Sequence, residues 1–389
     1  MTGQPSVSLD TSVFDKVIET GDIAARTHLA RQLADFIADP RNSPTEKGVV
    51  IPPVLQLAVD PVADVRRELA QGLRPVTDLN ADVLFTIVAD DDAIALPFLA
   101  ECAAIDPWRM LAILQVGDAS RQLVIAARPD LPPEAVAHVA TRSSLIVVAA
   151  MLDNVGCHIP GSDYRRLYVR FRDEPEIVER LLKRKDLPLE VRILQAKRAS
   201  SRIQKLVMER GWIAANDAES IIADVEETTV LKLLEQASAD ELDRLVPFLG
   251  KREMLNAALV MRACCRGQMA VVERSMAWLS SMSLRHVHGL IEGNSRIPLK
   301  AMFSASGLPK STYAMVRASI DVWREIRAVG EALAPEQFSR RVVETLVTRY
   351  DDIAAVEKIR LLDLVAKFSD ERTRSIVSRL KSSLQQQAA

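Results

Sequence analysis

Two helical stripes open this chain. In residues 28–37, Leu29, Leu33, Phe36 and Ile37 recur at three- and four-residue intervals, the pattern of an amphipathic helix. Asp39-Pro40 ends it, because the residue before a proline is driven out of the α region. Val62, Val65, Leu69 and Leu73 repeat the stripe after Asp60-Pro61, with a short apolar helix over 54–59 ahead of it, and 42–48 reads as a loop. The runs Leu123–Ala127 and Leu145–Leu152 are apolar, and Leu145–Val148, having no period, alone passes for a buried strand as well as for helix.

A repeat resolves that ambiguity. Asp78-Leu79-Asn80-Ala81-Asp82-Val83, Asp130-Leu131-Pro132-Pro133-Glu134-Ala135 and Asp186-Leu187-Pro188-Leu189-Glu190-Val191 share the form D-L-x-x-[DE]-[AV], at spacings of 52 and then 56 residues. Each interval has room for two short helix pairs. The unit over 54–73, an apolar helix, Asp-Pro and then VxxVRxxLA, has the form of a HEAT-like repeat. In the stretch Ser120–Asn154 a helix is expected to begin near Pro132, with Asp130 as its cap and Glu134 at its positive end. The run at 145–152 then reads as helix.

Beyond Arg210 the anchor fades and helix punctuation continues. Ser238 and Glu241 form a capping box opening 242–249, with Gly250 as the expected stop. Further helices are expected over 254–265, 269–279, 298–307, 309–327 and 335–350, with two more in 353–384. The expected fold is all-α: a disordered start at 1–12, a HEAT-like α-solenoid over 13–211, a second helical domain over 212–330 with a soft boundary near Trp212, and C-terminal helices over 331–389.

Composition agrees with packed helices: 48% of the 389 residues are hydrophobic, only 4% are aromatic, and there are 14 glycines. The longest apolar run, 145–152, falls far short of the roughly 20 residues a membrane span needs. Four cysteines without CxxC spacing, and an opening without a signal-peptide pattern, point to a reducing cytoplasm. A formal net charge of −2 gives no global attraction to nucleic acid.

The charge is nevertheless uneven. Residues 164–210 carry fourteen Lys or Arg against seven acids, whereas residues 1–120 carry nine against eighteen. Arg165, Arg166, Arg170, Lys183, Arg184, Lys185, Arg198 and Arg202 are the candidate partner-binding residues, with Tyr164, Tyr168 and Phe171 as stacking surface. The ordinary reading of such a band is a set of solvated helix faces.

Other chemistry is thinner. His286-x-His288 lacks the i,i+4 spacing that puts two ligands on one helix face, Cys157-His158 stands alone, and no metal or cofactor is expected. Cys264-Cys265 between Arg262 and Arg266 is weighed as an activated thiol and reads better as small buried residues. Asp90-Asp91-Asp92 is weighed as a cation site and reads more simply as partners of a helix start. Asp106-Pro107-Trp108-Arg109 places an acid beside an indole, as a glycosylase-like site would, with Trp108 more simply a core anchor. Phosphate loops, glycine-rich dinucleotide turns and nucleophile elbows have no counterpart in the sequence.

Leu96–Asn154 resembles the core of a bacterial, mostly alphaproteobacterial, family of uncharacterised helical proteins known as a domain of unknown function. Residues 267–273, 299–309 and 315–323 are similar to its C-terminal half, so the resemblance spans most of 26–327. It implies a helical solenoid with no assigned activity, and it transfers no functional residue. The expected function is an interaction scaffold that binds a protein partner through a solenoid surface. Nucleic-acid binding through 164–210 is the alternative, a glycosylase-like activity stands behind it, and self-association is expected of the C-terminal helices.

Overall fold

The computed structural model describes residues 11–388 apart from Gly21, Asn294, 350–354 and 369–370. Among them every regular element is helical: twenty-three α-helices and a 3-10 turn at Lys310–Thr312, with no strand. The expected disordered start lies outside the described residues as far as Asp10, and Thr11 already opens the first helix. The helices gather into two compact units, Met1–Pro188 and Leu189–Ala389.

The first unit runs α1 Thr11–Thr20, α2 Ile23–Ala38, α3 Pro44–Ala58, α4 Ala63–Leu73, α5 Ala81–Val88 and α6 Asp92–Glu101. It continues with α7 Pro107–Val116, α8 Ala119–Ala126, α9 Pro133–Arg142, α10 Leu145–Asp153, α11 Gly161–Phe171 and α12 Pro175–Lys183. Contacts skip one helix at a time. The even helices, α2 to α12, pack each on the next even one, α1–α3–α5 and α7–α9–α11 do the same among the odd ones, and consecutive helices join the rows. Two helix pairs do lie between successive D-L-x-x-[DE]-[AV] anchors, and the anchor leucines Leu79, Leu131 and Leu187 are buried.

Local chemistry fixes the ends. Asp22, Asp106 and Asp118 cap α2, α7 and α8 by accepting a backbone N–H three residues on. Residues 42–48, expected as a loop, instead start α3: Ser43 and Glu46 form a capping box, Pro44 takes the first turn, and the helix passes through Pro52 and Pro53. Asp130 does not cap α9, whose first residue is Pro133; its carboxylate binds the Arg128 guanidinium. The run at 145–152 is helix α10, with Val147, Val148, Met151 and Leu152 buried. Of 123–127 only Ile125 and Ala126 are buried, and Leu123 is half-buried.

The second unit runs α13 Leu189–Glu209, α14 Ala215–Glu235, α15 Ala239–Lys251, α16 Ala257–Cys265, α17 Met269–Ser280 and α18 Leu284–Glu292. Then follow α19 Arg296–Ala305, α20 Tyr313–Val329, α21 Pro335–Thr348, α22 Ala355–Phe368 and α23 Glu371–Ala388. The units divide at Pro188 and not near Trp212, because the two long helices flanking that tryptophan, α13 and α14, pack along each other as a hairpin. Helix α16 is the centre of this unit. Residues 259–265 are buried without a break, and α14, α17, α20, α21 and α22 all pack on it. Gly250 lies inside α15 and stops nothing; it is glycine because a Cβ there would stand 2.0 Å from Nε1 of Trp278.

Candidate functional site

Helix α11 carries the first part of the basic band. Tyr164, Leu167, Tyr168 and Phe171 form its buried face, so the three aromatics expected as stacking surface belong to the core. Arg165, Arg166 and Arg170 lie on the exposed side. Arg166 binds Asp163 at 2.6 Å. Arg170 leans 4.6 Å over the Phe171 ring and donates to the carbonyls of Val139, Ala140 and Ser143, where α9 ends. Lys183 is exposed with an i,i+4 bridge to Glu179, and Arg165 is exposed.

Arg184 is the most committed of the set. Its side chain is 10% exposed; Nη1 donates to the Asn154 carbonyl at 2.7 Å, Nη2 to the Cys157 carbonyl at 2.7 Å, and Nε to the Tyr164 hydroxyl and Asp186 at 2.9 Å each. Burial and a hydrogen bond to Asp186 raise the Tyr164 phenol well above its ordinary pKa. Burial pushes Asp186 up as well, but the hydrogen bonds from Arg184 and Tyr164 outweigh it and leave the carboxyl below its usual range. Lys185, at the same turn, is exposed and has its own polar interaction. Arg198 and Arg202 lie on α13 in the second unit, and each is likewise engaged. The band is therefore shared between two units.

Arg170 and Arg184 follow a rule that sequence reading missed. Arg121 reaches the Val88 carbonyl at the end of α5, Arg128 the carbonyls of Leu99, Ala100 and Cys102 at the end of α6, and Arg324 those of Leu290, Ile291 and Gly293 at the end of α18. A helix leaves its last four carbonyls unpaired and its C-terminus partly negative, so a flat cationic fork placed there satisfies both deficits. The signal was present: Arg128 and Arg184 each stand two residues before an anchor aspartate, Asp130 or Asp186, and bind it.

Beside Arg184 the surface forms a cleft of about 630 Å³ lined by Asp153, Val155, His158, Arg180, Lys183 and Lys185, among others. Its cations are matched: Arg180 binds Asp153 and Glu176 at 2.9 Å, and Lys183 binds Glu179. The remaining candidates are absorbed in the same way. Asp106 is the α7 cap, and Arg109 holds the carbonyls of Ala104 and of the anchor Leu79. Asp90 and Asp91 bind Arg66, and Asp92 binds Arg121. Cys264 and Cys265 are fully buried; burial raises both thiols, that of Cys265 to about 12, the reverse of activation. His288 sits between Glu273 at 3.1 Å and Glu292 at 3.3 Å, and among the described residues no three His, Cys, Asp or Glu converge as metal ligands.

Exposed apolar side chains are the other feature that sequence reading passed over. Trp108 is no core anchor: it is 60% exposed, 6.2 Å from the Phe85 ring. Val116, Val155 and Val169 are exposed in the same unit, and seven more apolar residues are exposed on the α13–α14 hairpin. No described helix is long and apolar enough to cross a membrane.

No curated protein and no solved structure matches this chain. A family profile does, over residues 94–356, which covers more than half of the chain and reaches into both units, including the two blocks that carry the resemblance in sequence. The chain thus belongs to the family described as uncharacterised protein conserved in bacteria, DUF2336.

Proposed function

We propose that the protein is an interaction scaffold whose first unit is a HEAT-like α-solenoid presenting a surface to a protein partner. The supporting observation is the skipping contact pattern, in which even helices pack on even and odd on odd. Stacked repeats of that kind touch only their neighbours and leave long surfaces open, so binding is their usual employment. Trp108, Val116, Val155 and Val169 supply exposed apolar contacts of the type that anchors protein interfaces. The acids and cations that would serve a catalyst are occupied in caps and ion pairs.

Nucleic-acid binding through 164–210 is the weaker reading, because the expected stacking aromatics are buried and Arg170 and Arg184 close helix ends. Fluorescence anisotropy with duplex and single-stranded oligonucleotides at two salt concentrations separates the two. We expect binding weaker than micromolar at about 0.15 M salt. Tighter binding that falls steeply with salt, and is abolished by Arg165→Glu with Lys183→Glu, would replace the scaffold by a nucleic-acid binder. For the scaffold itself, partner capture from the bacterial host should be lost on Trp108→Glu with Val116→Glu while the melting curve is unchanged. Capture indifferent to that double variant would place the surface elsewhere.

A further inference from the structure

The hairpin α13–α14 is anchored at one end only. Leu189, Val191 and Ile193 at the start of α13, and Val230, Leu231 and Leu234 near the end of α14, are buried, whereas between them Ala218 is the one buried apolar residue among those described. Over the same distal stretch, Ile203, Leu206, Met208, Trp212, Ile213, Ile221 and Val225 are exposed, Trp212 to 68%. Solubility argues against leaving that many apolar side chains uncovered on one projecting element.

Their placement is regular. Helical periodicity puts Ile203 and Leu206 on one stripe of α13 and Ile221 and Val225 on one stripe of α14. The half-buried residues Val207 and Ile222 mark the seam along which the two helices meet. In a hairpin, whose helices run in opposite directions, a stripe displaced toward lower angle on both helices falls on the same side of that seam, so the four residues form one face. Charge is divided between the helices. Residues 197–210 carry five bases against Glu209 alone and 215–227 carry five acids and no base, and of these Arg202 and Asp217 border the four-residue face at its two outer edges, whereas Lys197 and Glu219 fall on the other side of the seam. Asp224 and Glu227 are taken by Arg262, while Asp217 and Glu219, nearer the tip, are exposed.

We propose that this face binds a second copy of the same chain, the two hairpins closing into a four-helix bundle. A surface with a basic and an acidic edge beside an apolar centre complements itself under two-fold rotation, the requirement for an isologous dimer. The charges also choose the axis. Rotation about a line along the hairpin lays α13 on the other copy's α14, basic against acidic, with the tips side by side; rotation about a line across it would lay basic helix on basic helix. The proposal concerns the second unit and stands independently of the scaffold reading of the first.

Sedimentation equilibrium on the full chain tests it. The expected species is a dimer of the 43.0 kDa chain at micromolar concentration. Leu206→Asp with Val225→Asp should weaken it at least about a hundredfold, with helix content by circular dichroism retained. The axis has its own test: Arg202→Glu, and separately Asp217→Lys, should each weaken self-association, and mixing the two variants should restore a heterodimer. Ile213→Cys should cross-link between copies with a short bismaleimide, the four native cysteines being buried. A parent that stays monomeric at tens of micromolar, a dimer insensitive to both the apolar and the charge variants, or a hairpin that binds only a different protein overturns the proposal. Dimerisation with no restoration on mixing overturns the axis.

Discussion

A guanidinium that serves two carbonyls, a phenol and a carboxylate at once leaves four groups short when it goes. Arg184→Ala should destabilise the first unit by about 1–3 kcal/mol, the cost of leaving buried hydrogen-bonding groups unsatisfied. Arg184→Lys should recover little of it, since a single ammonium cannot reproduce the fork. Lys183→Glu, at an exposed site, should stay within about 0.5 kcal/mol. Urea unfolding of the three variants is the measurement, and equal losses at 183 and 184 would contradict the division drawn between them. Sequence reading could not make that division: charge is legible residue by residue, but the carbonyls Arg184 binds lie 27 and 30 residues earlier at Cys157 and Asn154. Tyr164 misled for a related reason. The α11 stripe of Tyr164, Leu167, Tyr168 and Phe171 was readable as the inner face of a helix, and aromatic chemistry near cations was read in its place.

At the scale of single elements, the two apolar runs that looked alike differ. Val148 is fully buried in α10 and Leu123 half-buried in α8, so Val148→Asp should unfold the first unit outright while Leu123→Asp costs distinctly less. Thermal melts followed by circular dichroism would decide, and equal effects would mean that α8 is as enclosed as α10. Most helices were legible because a 3.6-residue stripe survives any tertiary arrangement, and 145–152 was assigned correctly only through the repeat that surrounds it. The start of α3 was missed although Ser43 and Glu46 spell a capping box, because Asn42, Pro44 and Gly48 around them are turn formers. Gly250 shows the opposite failure: a glycine that ends helices by habit was required by an indole on another helix, a contact with no local signature.

At the scale of the whole molecule, the division at Pro188 predicts that 1–188 and 189–389, expressed separately, each melt cooperatively and together reproduce the helical signal of the intact chain. A fragment that remains unfolded alone would mean that its core is incomplete without the other. The number of helix pairs between anchors was legible because the repeat recurs in sequence. The division itself was not, since the third anchor straddles it: Pro188 closes the first unit and Leu189 opens the second. Nor was the hairpin face legible, because an apolar stripe looks the same in sequence whether a neighbouring helix covers it or nothing does.

The arginine caps have a direction. Arg121, Arg128, Arg170, Arg184 and Arg324 each reach backward, to a helix that left the ribosome 27 to 33 residues sooner at Val88, Leu99, Ser143, Asn154 and Ile291. During synthesis, then, a helix waits for its seal until the helices that follow it have emerged. A chain broken from its C-terminal end loses seals on helices it still contains, and fraying should climb toward the N-terminus. A chain shortened from the other end removes helices together with the carbonyls that needed closing, and the arginines set free there simply turn to water.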